Sequence, residues 1–325
     1  MGLERLAEAD LLAPLTYDAR SEAADGSAVE GISYEAALTM IAEEFGRFSP
    51  AMAAFVREAV EKRWIEAEAR EDKSLITYCT YLPVSKQPRV FTTFTGRFQD
   101  VQMLAHELGH AYHFQQVSEQ SALAHRVPMS LVEIPSTFAD TVFSKGYLAR
   151  LEDGEGAKAA KTALLNERVN QMILYVWRPF MQFLFERQAV EACRRGEALS
   201  ATRLDELMIE VQKRVYGERL AAYTPVYWIS NNLYYLTDRT YFNYPYTFGY
   251  LFSAGLYAVA MEQGELSPEQ YDALLQDMGR MSVEDLARKH LGADVTEEAF
   301  WQQAFDLLYA DVEAFLAVTE ARRRK

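Results

Sequence analysis

The chain has 325 residues, half of them hydrophobic, with 47 acidic and 33 basic side chains and a formal charge of −14. That content supplies a sizeable core and excludes a disordered chain, and the acidic surplus excludes a surface built to neutralise a nucleic-acid backbone. The cysteines, Cys79 and Cys193, number only two, which excludes a disulfide framework and fits a reducing compartment.

The N-terminal MGLERLAEAD is charged from residue 4 onward and has no apolar leader core. No stretch approaches the ~20 apolar residues of a membrane span. These features predict a cytoplasmic protein with no membrane partner. Residues 1–15 read as a short helix and 18–31, DARSEAADGSAVEG, as a polar linker. The expected organisation is therefore an N-terminal extension and linker over 1–31 and one large domain over 32–325.

Ser33 is placed to cap a helix through about Phe45, and Ser49-Pro50 signals a second helix start. Met52, Phe55, Val56, Val60 and Trp64 recur at helical spacing, which predicts that this helix runs to about Ala69. Residues 74–82, SLITYCTYL, and 89–95, RVFTTFT, are rich in β-branched and aromatic side chains. With Pro83, Ser85 and Pro88 between them they predict two strands in a hairpin. Helix resumes after Gly96, with Asp100 as the expected cap and Val117 near the end. Further helical patterns cover about 157–194, 200–216, 245–264 and 297–320. Pro135 and Pro179 are expected to kink or interrupt their helices. The closing ARRRK reads as a frayed helix end.

Residues 106–110 are His-Glu-Leu-Gly-His. Positions i and i+4 share one helix face, so His106 and His110 can offer two imidazoles to one metal ion. Zinc is the natural ion for such a pair completed by a third ligand. Glu107, beside the first histidine, fits a general base that later returns its proton to a leaving amine. Three residues compete as third ligand: Glu133, His113 and His125. Three histidines on one straight helix would crowd a tetrahedral ion from one side, so a ligand from a second helix closes the site better. His290 reads as structural, and Cys79 as a small buried hydrophobe rather than a nucleophile. Asp140 is a candidate for orienting a ligand histidine.

His-Glu-Leu-Gly-His-Ala-Tyr-His (106–113), followed by Glu-Ile-Pro-Ser-Thr-Phe-Ala-Asp (133–140), resembles the zinc oligopeptidases of the thimet oligopeptidase and oligoendopeptidase F family. Two further segments are similar: Asn243-Tyr-Pro-Tyr-Thr-Phe-Gly-Tyr-Leu-Phe-Ser (243–253) and Phe48-Ser-Pro through Trp64-Ile-Glu-Ala-Glu (48–68). The resemblance runs from about Ile32 onward and is to the catalytic, C-terminal half, in the oligoendopeptidase F branch. It implies a mainly α, zincin-like metallopeptidase catalytic domain with a small β-sheet next to the zinc-binding helix. It also implies a zinc ion held by His106, His110 and Glu133, which lies 23 residues beyond His110. Glu107 is then the base, and Tyr246 matches the family's tyrosine that donates to the oxyanion, with Tyr241, Tyr244 and Tyr250 as fallbacks. The implied reaction is hydrolysis of internal bonds in oligopeptides.

Two departures accompany the resemblance. The family's second oxyanion donor, a histidine, falls on Leu233, and a second tyrosine position falls on Phe242. The family's N-terminal helical region, the other wall of a deep channel, finds no match here, which leaves room for a second copy of the chain, or another protein, over an open cleft. These departures keep two rivals in view: a catalytically weak, zinc-containing peptide-binding protein, and an exopeptidase with the same chemistry. By the same resemblance, strand 89–95 is expected to be an edge that pairs with the peptide backbone.

Overall fold

The computed structural model of the protein describes residues 5–11, 31–74, 76–151, 155–238 and 240–323. Helix α1 (Tyr34–Phe48) begins where Ser33 Oγ accepts from Ala36 N. Helix α2 (Pro50–Glu61) begins with Ser49 Oγ accepting from Met52 N and proline in the first turn. It ends eight residues before the expected Ala69. Arg63 adopts a left-handed φ of 55°, and Trp64 drops into the core as the chain turns into strand β1 (Ile65–Glu66). The helical spacing of Trp64 was coincidental: its ring is buried from outside the helix.

Strands β2 (Tyr78–Leu82) and β3 (Gln87–Phe91) form the expected hairpin, paired antiparallel with Cys79 opposite Val90. The third strand was not expected. β1 pairs parallel with β3, Ile65 opposite Val90, so the sheet order is β1-β3-β2. Strand β3 is therefore central, and the expectation of an edge at 89–95 is wrong. Its continuation is occupied too, since Thr92 N donates to Glu66 O and Phe94 N to Ala67 O. The outer position next to the hairpin belongs to β2, which exposes Tyr78 and Leu82.

Helix α3 (Phe98–Val117) crosses behind this sheet. Asp100 acts from inside its first turn, accepting from the N–H groups of Thr95 and Arg97. Helix α4 (Ile134–Arg150) packs along α3, with Pro135 in its first turn rather than at a kink. Helix α5 (Glu155–Met172) passes through a π-helical turn (Ile173–Trp177) into α6 (Arg178–Arg194). Pro179 follows directly on that turn, whose wider ring accommodates the missing N–H.

Helix α7 (Ala201–Tyr216) is capped by Ser200 and ends at left-handed Gly217. A loop containing the short helix α8 (Tyr227–Ser230) and a 3₁₀ turn (Asn232–Tyr235) leads to α9 (Tyr244–Tyr257). Helices α10 (Pro268–Asp277), α11 (Val283–Leu291) and α12 (Glu298–Arg323) complete the chain. The fold is mainly helical with one small sheet, as expected.

The main core gathers α1–α4, α9, α10 and α12 around Phe45, Leu104, Phe138 and Phe252, all buried. A second, smaller core joins α6 to α7 through Met181, Phe185, Met208 and Val211, and Trp228 and Tyr234 of the loop pack on it. A buried ion pair ties α5 to α12: Arg168 Nη2 lies 2.7 Å from Asp311 Oδ2, and Lys145 Nζ of α4 lies 3.1 Å from Asp311 Oδ1. Of the expected N-terminal extension, Leu6–Glu8 lies against 221–224, where Glu8 N donates to Ala222 O and Thr224 Oγ1 to Glu8 Oε2. Glu8–Asp10 forms one 3₁₀ turn; residues 1–4 and 12–30, which hold the rest of the expected helix and nearly all of the linker, lie outside the described residues. Among the described residues no helix is long and apolar enough to cross a membrane.

Candidate metal centre

Helix α3 carries His106 and His110 one turn apart, their rings 5.1 Å between centroids and nearly perpendicular. Glu133 approaches from the residue preceding α4. Its Oε2 stands 3.5 Å from Nε2 of each histidine. The three donor atoms lie within 4.8 Å of one another, and no other such cluster of three His, Cys, Asp or Glu occurs among the described residues.

Two glycines bring these helices together. A β-carbon on Gly109 would stand 2.6 Å from the Pro135 carbonyl oxygen and 2.7 Å from the Ala139 β-carbon. One on Gly249 of α9 would stand 2.7 Å from the Glu133 β-carbon. All three distances are below van der Waals contact, so only glycine permits the approach. Ser136 Oγ then donates to both the Glu133 carbonyl and its Oε2, each at 3.0 Å, which fixes the carboxylate.

Burial opposes the charge on Glu133, but His106 and His110 outweigh it and hold the carboxyl well below its ordinary range. Burial likewise disfavours the His106 imidazolium, yet Glu133 and Glu107 raise it to about 9. Two imidazole nitrogens and one carboxylate oxygen are a donor set of the kind that can hold a zinc ion. The residues present fit the ion.

Glu107 is buried, and its Oε2 has no hydrogen-bond partner among the described residues. Desolvation raises its carboxyl above the ordinary value, against the lowering effect of His106 and His110. Cys79 on β2 lies close by. Burial, with Glu107 adding to it, pushes the thiol well up, which makes it no nucleophile.

The other candidates fall elsewhere. His113 is buried against Phe114, and burial followed by the field of His110 pushes it down to about 3. His125 Nε2 lies 2.7 Å from Val117 O, and His290 pairs with Asp277 at 2.9 Å. Neither joins the cluster. Asp140 reaches the flank of His106, but its Oδ2 accepts from Gln171 (2.8 Å) and its Oδ1 has no partner among the described residues, so the expected bond to a ligand histidine is not made. Tyr246 occupies the first turn of α9 and meets Phe242 edge-on at 6.0 Å. The loop entering α9 is pinned by Glu186, which accepts from Tyr241 N (2.8 Å) and Asn243 Nδ2 (3.1 Å). Tyr250 is buried and stacked on Tyr175, which leaves it no access to a substrate. Leu233 lies half-buried in the 3₁₀ turn.

The profile of peptidase family M3 matches residues 47–307. The chain belongs to peptidase family M3. Among M3-type relatives, the chromosomal oligoendopeptidase F of Lactococcus lactis subsp. cremoris is 26% identical over 163 residues, 50% of this chain and 26% of that protein. An oligoendopeptidase F homolog from Lactococcus lactis subsp. lactis is 25% identical over 188 residues, 57% of this chain and 30% of that protein. The fold is also that of a Chlamydophila abortus protein provisionally named a peptidase, with TM-score 0.79, 19% identity, and coverage of 97% of this chain and 50% of that one. Oligoendopeptidase-F from Enterococcus faecium gives a TM-score of 0.61 at 16% identity, covering 99% of this chain and 48% of that one. The chain thus spans about half the length of these two structures, and less of the curated relatives.

Sequence reading did not find Gln102, Gln171 or Tyr175, which flank His106. Glutamines and a tyrosine at such separations carry no motif; only the fold brings α3, the end of α5 and the π-helical turn together.

Proposed function

We propose that the chain is a zinc-dependent endopeptidase that hydrolyses internal bonds of oligopeptides. The observation that carries this reading is the convergence of His106, His110 and Glu133 beside Glu107, a buried carboxylate whose Oε2 has no partner among the described residues. His106, His110 and Glu133 would hold the zinc ion. Zinc bound there supplies a Lewis acid that polarises the peptide carbonyl and makes water a nucleophile near neutral pH.

The chain's own groups do the rest. Glu107 takes a proton from the attacking water as its oxygen joins the carbonyl carbon, and gives that proton to the nitrogen as the C–N bond breaks. Tyr246 donates its hydroxyl to the oxyanion that forms. Strand β2, the outer strand of the hairpin, offers unpaired backbone groups along which an extended peptide can lie. Backbone pairing of this kind is tolerant of side chains and favours broad specificity. We place this activity in the cytoplasm, with a second copy of the chain as the partner that covers the cleft.

Cleavage of a quenched fluorescent oligopeptide by protein of verified zinc content, with and without chelator, tests the reading, and Glu107→Gln is the control. Chelator-sensitive cleavage restored by zinc supports it. Zinc-loaded protein that leaves several unrelated peptides intact overturns it in favour of peptide binding without turnover, the reading that Leu233 motivates. Fragment mapping of one defined peptide separates internal from terminal cleavage.

A further inference from the structure

The chain passes the flank of His106 in the π-helical turn Ile173–Trp177, which Arg178 N closes by donating to Ile173 O. Single turns of this kind interrupt the regular helix and recur where a side chain is aimed at a functional site. Leu174 and Tyr175 of the turn line a cavity of about 240 Å³ together with His106, Gln102 and Asp140. That volume is below the ~300–1,000 Å³ of pockets that enclose whole small molecules, so the cavity suits one group of a larger ligand.

Tyr175 is held by its ring. It stacks on Tyr250 with centroids 5.1 Å apart, and Tyr250 is buried on α9 one turn after Tyr246. Asp140, Glu133, Tyr250 and Tyr246 all act electrostatically on the Tyr175 hydroxyl, which places the oxygen as well as the ring on the side of the metal-facing cluster. Among the described residues that hydroxyl has no hydrogen-bond partner. Burial first, then the charges of Asp140 and Glu133, push it well above the ordinary phenol value. It therefore keeps its proton at any working pH, and it offers a hydrogen bond without ever acting as a base. A peptide entering beside His106 brings carbonyl oxygens as acceptors. The one on which negative charge grows is the oxygen of the carbonyl under attack, and a donor fixed in place beforehand is worth most there.

We propose that Tyr175 is a catalytic residue whose hydroxyl donates to the oxyanion of the scissile carbonyl, beside Tyr246. The inference rests on the peptidase reading above. The proton stays on the tyrosine oxygen throughout. The hydrogen bond strengthens as charge develops on the carbonyl oxygen, so its effect belongs to the transition state and not to substrate binding.

Tyr175→Phe is the variant to make, because it keeps a ring to stack on Tyr250 and removes only the oxygen. Zinc-loaded wild type and variant are compared in two ways: by cleavage of one fluorescent oligopeptide, and by affinity for a phosphinic peptide of matching sequence, whose tetrahedral anionic centre copies the attacked carbonyl. Zinc content and Tm are measured on the same samples. The proposal expects kcat to fall about 100-fold with KM changed by less than about twofold, and phosphinic affinity to fall by about tenfold or more, with zinc content and Tm unaltered. Wild-type kcat or wild-type phosphinic affinity in Tyr175→Phe overturns it. So does a loss confined to KM, or a loss matched by a fall in zinc content or Tm, since these make Tyr175 a binding or structural group. Wild type that cleaves nothing yet binds the phosphinic peptide through Tyr175 leaves the donor in place and removes the peptidase reading instead. Wild type that neither cleaves nor binds removes both.

Discussion

Gly249 rests directly against Glu133, with no room between them for a methyl group: a β-carbon there would lie 2.7 Å from that of Glu133. The glutamate is therefore held beside the histidines in part by a residue of a different helix. Gly249→Ala is expected to push Glu133 off its position. Positioning groups of this kind are worth roughly 10–100-fold in metal affinity. A zinc competition titration checks this, and unchanged affinity would show that Glu133 is set from elsewhere.

Glu107→Gln is expected to lower kcat by about 10²–10⁴-fold, the range for loss of a general acid–base, with zinc content unaltered. Elemental analysis beside the peptide assay separates this from loss of the metal. A proportional loss of zinc would assign Glu107 to ligation instead.

The contrast between these two residues shows what the sequence discloses. His106, Glu107 and His110 are legible because a helix turns i and i+4 to one face, a local fact. The approach of Glu133 to those histidines is not local; it became legible through the family resemblance. Gly109 and Gly249 read in isolation only as weak points in helices, since their use lies in the opposing backbone. Strand β1 was missed because its two residues follow a helical apolar spacing and pair with a partner about 25 positions away. That same parallel pairing makes β3 central, so the order of strands in the sheet could not be taken from the hairpin alone. Asp140 was noticed at the right place and given the wrong contact, because Gln171 approaches it from a separate helix.

Tyr246→Phe is expected to reduce kcat by on the order of 100-fold with little change in KM, as for removal of one oxyanion donor. Leu233→His, which restores the family's donor, is expected to raise kcat. Steady-state kinetics on both variants test the pair. A Tyr246→Phe enzyme as fast as wild type would move the role to another residue.

Asp140→Asn is expected to stabilise the metal-free protein near neutral pH. Burial raises this carboxyl from 3.8 to about 6, against the pull of His106 and Arg168. Below pH 3.8 it is neutral folded and unfolded, and it costs nothing. As pH rises through about 6 it ionises in the fold at a penalty the unfolded chain does not bear. The difference is on the order of 2–3 kcal/mol above that window. Urea melts of chelated protein at pH 4 and pH 7.5 give the answer, and a benefit equal at both would refute the mechanism.

Arg168→Met is expected to destabilise the fold by about 3–5 kcal/mol, because it leaves Asp311 buried with only Lys145 beside it. Adding Asp311→Asn should recover part of the loss. Denaturation of the single and double variants measures the coupling, and purely additive effects would rule out the pair as the cause.

The second core has a consequence for how this protein can change. Helices α6 and α7 share a cluster of their own, and Trp228 and Tyr234 root the 226–238 loop in it, while the histidines and Glu133 hang from the main core. Helices α6 and α7 with this loop are accordingly a unit with a core of its own. Exchanging residues 178–240 for those of a relative would alter that unit while leaving His106, His110 and Glu133 on their original supports. The two parts of the chain can therefore vary with a degree of independence.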